Sequence, residues 1–87
     1  MKRTLPAEQA LLLAISSSEY AQTLVNICVR FLYMNSLEDA LLAIQKSVDL
    51  YQQLAANHPG VFKADLALSL HHLSLCLFKL GHHKRAL

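Results

Sequence analysis

The clearest pattern along the chain begins at position 37. Leu37, Leu41, Ile44, Val48, Tyr51 and Ala55 recur at alternating steps of four and three, with Glu38, Gln45, Lys46, Asp49 and Gln52 elsewhere around the wheel. That is the period of an amphipathic helix, not the alternation of a strand. The helix is predicted to stop near Asn57, because Pro59 lacks an N–H and restricts the residue before it. The same period runs through Tyr20, Leu24, Ile27, Phe31 and Met34, and again through Leu66, Leu70, Leu73, Leu77 and Leu80. These predict helices over 19–34 and 65–80. Pro6 suits the first turn of a shorter helix over 6–15, with Ala7, Ala10, Leu11, Ala14 and Ile15 on one side. Ser16, Ser17 and Ser18 are expected to break it and to cap the next helix. Asn35 and Ser36 end that helix and cap the following one, Gly81 supplies a C-cap, and 82–87 reads as the opening turn of another helix.

Two of these segments echo one another. Residues 19–41 match 65–87 at a constant offset of 46 (65 − 19), with Ala21 on Ala67, Leu24 on Leu70, Ala40 on Ala86 and Leu41 on Leu87. Glu19/Asp65, Thr23/Ser69, Ile27/Leu73, Val29/Leu75, Phe31/Leu77 and Met34/Leu80 are conservative pairs. A period in this range is the signature of a repeat array.

Composition narrows the picture. Of the 87 residues, 54% are hydrophobic and 16% charged, against roughly 25% charged in a typical globular protein. The chain is too apolar for disorder, and apolar enough that some of its surface is expected to be covered by a partner. A net charge of +2, with Lys2, Arg3, Lys84 and Arg85 at the two ends, gives no basic stripe for nucleic acid. No unbroken apolar run reaches the ~18 residues of a membrane span, and Glu8 and Gln9 precede an apolar stretch too short for a secretory signal. Cys28 and Cys76 lie inside apolar helical runs, where cysteine behaves as a small hydrophobe, so a soluble, cytoplasmic, reducing setting is expected.

The motif content resembles the tetratricopeptide repeat, a helix-turn-helix unit with a W-x2-L-G-x2-Y…A-x3-F…P pattern. The first copy has Leu24, Ile27, Cys28, Phe31, Ala40 and Ile44 at those positions; the second has Leu70, Leu73, Ser74, Leu77 and Ala86. The aromatic positions depart from the pattern, and the period is 46 residues where the common repeat has about 34. Seven extra residues lengthen the second helix by one heptad, and residues 60–64 lengthen the approach to the next. Long repeats of this kind are similar to those of kinesin light chains and of fungal repeat proteins.

The resemblance implies an all-α array of antiparallel helix-turn-helix repeats. Residues 1–18 would form a divergent N-terminal helix and cap, 19–64 a first repeat, and 65–87 a truncated second, about one and a half repeats in all. It further implies a partner-binding surface on the first helix of each repeat. That surface would comprise Gln22, Val25, Asn26, Val29 and Tyr33, then Leu68, His71, His72, Leu75 and Lys79. A peptide or partner helix would lie there, with Asn26 and His72 placed to bond an extended backbone. Val25 and Val29 stand where the chaperone-tail subgroup has its carboxylate clamp, which argues against that specificity. The alternative for these residues is packing against a neighbouring helix.

Other chemistry finds little support. His72 and Cys76 are spaced four apart, and His82 and His83 lie beyond, but one such pair does not make the four-ligand set that zinc takes. Cys76 with His72 is the single local nucleophile–base candidate, and it lacks an oxyanion-donor loop. The expectation is a protein–protein interaction module or scaffold piece with no catalysis, no metal, no cofactor, no nucleic acid and no membrane. Because arrays of this type need about three repeats, it is expected to be part of a longer array, a homo-oligomer, or a structural helical bundle without a groove.

Overall fold

A computed structural model describes residues 6–86 and, apart from residues 83–86, their side chains. Lys2, Arg3 and Leu87 lie outside the described residues, as do the side chains of Lys84, Arg85 and Ala86. The described chain is all-α: α1 spans Pro6–Tyr33, α2 Leu37–Asn57 and α3 Pro59–Ala86.

α1 is one continuous helix, so the expected break at Ser16–Ser18 is absent. Serine can donate back to the helix it sits in, and Ser18 Oγ does so to the Ile15 carbonyl at 2.8 Å, as Thr23 Oγ1 does to Glu19 at 2.9 Å. The helix ends as predicted at Asn35, whose φ of 58° is the left-handed conformation asparagine tolerates. Ser36 N–H bonds the Phe31 carbonyl at 2.8 Å and Asn35 N–H bonds Leu32 at 3.1 Å, which closes a Schellman turn. Ser36 then precedes α2 without a side-chain capping bond.

α2 stops at Asn57 as expected, yet the connection to α3 is the single residue His58. Its N–H bonds Leu54 at 2.8 Å, while its carbonyl receives Val61 N–H at 3.0 Å. Pro59 therefore opens α3, in the position where its missing N–H is no loss. Residues 60–64, expected to lengthen the approach to a helix over 65–80, are already part of that helix. Gly81 does not cap the helix either: α3 runs through it to Ala86, and residues 82–86 are the end of α3, not the start of another helix.

Cross-helix pairs set the orientations. Ser47 reaches Ala21 while Tyr51, one turn on, reaches back to Ser18, so α1 and α2 are antiparallel. Ser47 meets Ser69 and Tyr51 meets Phe62, so α2 and α3 are antiparallel as well. α2 packs along both of its neighbours. α1 and α3 run parallel and touch each other at Cys28 and Cys76.

Each helix carries one heptad-spaced line into the core. The lines are Ala14, Ala21 and Cys28 on α1, Ala40, Ser47 and Leu54 on α2, and Phe62, Ser69 and Cys76 on α3. Small residues dominate where all three helices converge, which lets the backbones approach closely. Ile44, Val48, Tyr51 and Leu24 fill the space beside them.

This core differs from the periodic expectation for α1 and α3. Tyr20 and Ile27 are exposed where Ala21, Val25 and Cys28 are buried; Leu70 and Leu77 are exposed where Ser69 and Cys76 are buried. The 46-residue echo also fails to carry over to burial. Ala21 and Leu24 are in the core, whereas Ala67 and Leu70 are not. The core instead aligns α1 with α3 at 48 residues, through Cys28 and Cys76. α3 carries apolar residues on every side, and its stretch Pro59–His82 is long and apolar enough, by length and composition, to cross a membrane.

Candidate functional site

α1 and α3 lie side by side in front of α2, and a groove runs between them. On its α1 wall the four-and-three spacing places Gln22, Asn26, Val29 and Tyr33 in one row. On the α3 wall the same spacing aligns Leu68, His72, Leu75 and Lys79. The two rows stand at the 46-residue offset from one another, and of the echo's similar pairs one, Val29 and Leu75, falls on them.

Between the two helices lies a cavity of about 300 Å³ lined by Val29, Leu32, Tyr33, His72, Leu75 and Lys79. Five of these six belong to the sequence-predicted surface; Leu32 does not. It lies one heptad after Val25, which is how it could have been found. Val29, Leu32 and Leu75 give the cavity apolar walls. Tyr33, with 88% of its surface exposed, stands at the rim. His72 is held against its own helix by its Nδ1, 3.0 Å from the Leu68 carbonyl. Lys79 supplies the cationic group, and among the described residues no carboxylate lines the cavity.

Below the cavity the groove becomes polar. The Tyr51 hydroxyl, from α2, donates toward the Gln22 Oε1 at 3.3 Å and lies 3.5 Å from the Ser18 carbonyl. Gln22 Nε2 in turn reaches Asn26 Oδ1 at 3.4 Å. This chain of bonds orients the Asn26 amide. Burial, and then the nearby Asp65 charge, push the Tyr51 phenol above its ordinary value, so it stays a neutral donor.

The remaining predicted residues lie outside the cavity lining. Val25 is buried in the core and is closed to a ligand. His71 is exposed on the outer face of α3, its ring 5.9 Å from that of His72. Leu68 is exposed lower on the α3 wall. His72 and Cys76 do not form a metal set: among the described residues no three histidine, cysteine or acidic side chains cluster.

A larger hollow, about 460 Å³, lies between α1 and α2 near their Pro6 and Asn57 ends, lined by Ala10, Leu13, Ala14, Ser17, Leu50 and Leu54 among others. The sequence pattern did not signal it. It follows from α1 continuing through the three serines, which lays the N-terminal turns alongside the last turns of α2.

The chain matches no protein-family model, no curated protein and no solved structure.

Proposed function

We propose that this chain is a protein–protein interaction module of tetratricopeptide-repeat type, without catalysis, that holds a peptide or partner helix in the groove between α1 and α3. The observation that carries the reading is the cavity beside Val29 and Leu75, apolar at its walls and fringed by Tyr33, His72 and Lys79. An apolar side chain of a ligand fits between the walls, and the Asn26 amide and His72 ring bond its backbone. Such a division between an apolar anchor and a few polar groups is typical of recognition sites. The motif resemblance supports the same reading, as does the parallel placement of α1 and α3. The 48-residue core register and the one-residue α2–α3 connection set the chain apart from a regular repeat.

The test is selection of peptides from a random display library against the immobilised chain, followed by titration of the selected peptides. Val29→Glu and Leu75→Glu each place a carboxylate in the cavity and are expected to weaken binding at least tenfold, with unchanged helical content. Peptides that bind both variants as well as the parent chain would refute the assignment.

A second reading rests on a different surface. The flank of α3 away from α1 exposes Leu70, by 40%, and Leu77, by 52%, beside Leu66 and Leu73, which pack partly against the core. Steps of four and three make such a row self-complementary in the manner of a coiled-coil seam. A homodimerisation unit would use it. Sedimentation equilibrium at micromolar concentration would then give twice the monomer mass, and Leu70→Lys with Leu77→Lys would restore the monomer. A monomeric parent chain would exclude this reading.

A further inference from the structure

Cys28 on α1 and Cys76 on α3 are both completely buried, and neither is engaged in a disulfide. Their Sγ atoms lie 3.6 Å apart, so a movement of about 1.5 Å would bring them to the ~2.05 Å of a disulfide bond. α2 packs along both α1 and α3, and the two sulfurs are a direct contact between those two helices. They also sit immediately behind the groove. Val29 follows Cys28 and Leu75 precedes Cys76, and both neighbours form its walls.

We propose that Cys28 and Cys76 are a redox-modification site, a dithiol that closes to an intramolecular disulfide, ties α1 to α3 and draws the walls of the groove together. The bond stands on the placement of the two thiols alone; its effect on ligand binding rests on the groove reading above. The oxidant is a small-molecule disulfide of the glutathione class, R–S–S–R. The first thiol to be uncovered loses its proton, and its thiolate attacks one sulfur of the oxidant. A protein–SR bond forms, the R–S–S–R bond breaks, and the departing RS⁻ takes up the proton. The second cysteine, as thiolate, then attacks the modified sulfur, forms the Cys28–Cys76 bond and expels the second RS⁻, which is protonated in turn. The two thiols lose two electrons and two protons, and the oxidant leaves as two RSH.

The packed state and the opened state differ sharply in this reaction. Burial first, and then the neighbouring Cys76, push the Cys28 thiol up to about 12 from its ordinary 9.0, so little thiolate exists while the helices are packed. A local opening of α3 starts the reaction. Repacking returns the second sulfur to contact with the first, which favours ring closure over attack by a second oxidant molecule.

The experiment treats the purified chain with excess oxidised glutathione at mildly alkaline pH, with and without low urea to speed the opening. Intact mass, far-ultraviolet circular dichroism, melting, and methyl NMR of Val29 and Leu75 are then recorded. The expected product is a monomer lighter by about 2 Da, with its helical signal retained and its Tm raised by roughly 10 °C or more. The Val29 and Leu75 methyl resonances shift, and their mutual NOE strengthens. Cys28→Ser and Cys76→Ser stop at a single glutathione adduct and gain no Tm; Cys28→Ala and Cys76→Ala repeat the control should the serine variants fold poorly. A stable mixed disulfide on the parent chain, crosslinks between chains, loss of helix on oxidation, or no reaction even in urea would overturn the site. A disulfide that leaves both methyl groups unshifted would overturn the control of the groove. Failure of the peptide selection would leave the mass and melting results standing, so the two readings are tested separately.

Discussion

The rotation of α3 is open to a decisive pair of substitutions, Ser69→Leu and Leu77→Ser. Periodicity taken alone puts Leu77 in the core and leaves position 69 outside it; the structure reverses them. Ser69 is fully buried with its Oγ 3.4 Å from that of Ser47, whose own hydroxyl donates to the Ala21 carbonyl at 2.9 Å. A leucine there has no space to enter. Overpacking costs about 1–3 kcal/mol, and loss of the Ser47–Ser69 hydrogen bond adds about 1 kcal/mol, so about 3 kcal/mol is expected. Leu77 is 52% exposed, so truncation forfeits about half of the roughly 2 kcal/mol that full burial of leucine contributes. Serine in a helix adds about 0.5 kcal/mol to that loss. Leu77→Ser is therefore expected to cost about 1.5 kcal/mol. A domain of this size has a total stability on the order of 5–10 kcal/mol, so both effects are readable. Urea unfolding followed at 222 nm, at chain concentrations low enough to suppress association, gives the two values. A larger loss for Leu77→Ser than for Ser69→Leu would refute the packing described for α3.

Four further outcomes follow from the same packing. Gly81 is helical without a positive φ, and a Cβ added to it would meet nothing within 4 Å; Gly81→Ala should raise stability by about 0.5–1 kcal/mol in urea unfolding, whereas a loss would restore it as a cap. Tyr51→Phe removes the hydroxyl that bonds Gln22 and lies near the Ser18 carbonyl, and should cost about 1 kcal/mol by the same assay; no loss would show that the bond contributes nothing. The Cys28 thiol and the Tyr51 phenol are both raised above their ordinary values, so the folded state keeps protons that the unfolded state gives up. Their contribution is complete below about pH 9 and should fall as pH rises toward 12, by up to about 1.4 kcal/mol per pH unit for each group inside its window; a melting temperature flat across that range would contradict their burial. Closing the Cys28–Cys76 disulfide spans 48 residues and should add about 4 kcal/mol on the chain-entropy argument, measured as the difference in urea unfolding between oxidised and reduced chain; no gain would mean the closed form is strained.

Helix type and the ends marked by strong local chemistry were legible in the residues. Asn35 reads as a left-handed cap because its side chain tolerates positive φ, and Pro59 as a boundary because it lacks an N–H. The boundaries that rested on weaker signals were not. Three serines in a row favour a cap only when the backbone has nowhere better to go. Here Ser18 bonds Ile15 within the helix, while Ala14 and Ala21 on either side are held in the core, so tertiary contact outweighs local preference. Gly81 misled in the same way: glycine permits a cap without requiring one.

The rotational register of α1 and α3 was hidden for a more general reason. Leu66, Leu73 and Leu80 belong both to the all-leucine row and to the row containing Phe62, Ser69 and Cys76, so periodicity alone cannot choose between them. Size-weighted hydrophobicity favours the leucines. Geometry favours the small residues, because three helices sharing one line must bring their backbones close, and a leucine from each would force them apart. The informative signal was the recurrence of small residues at steps of seven, Ala14–Ala21–Cys28, Ala40–Ser47 and Ser69–Cys76. Once those rows turn inward, Leu70 and Leu77 are displaced from the core to the outer flank of α3, and one pair of the echo, Val29 and Leu75, is left facing across the groove. The same packing choice thus produces the buried dithiol, the apolar cavity in front of it and the exposed leucine row. Replacing Ser69 by leucine should therefore disturb all three together: faster thiol oxidation, shifted Val29 and Leu75 methyl resonances and altered self-association in a single variant. A change in stability with all three unmoved would show that they do not share this common cause.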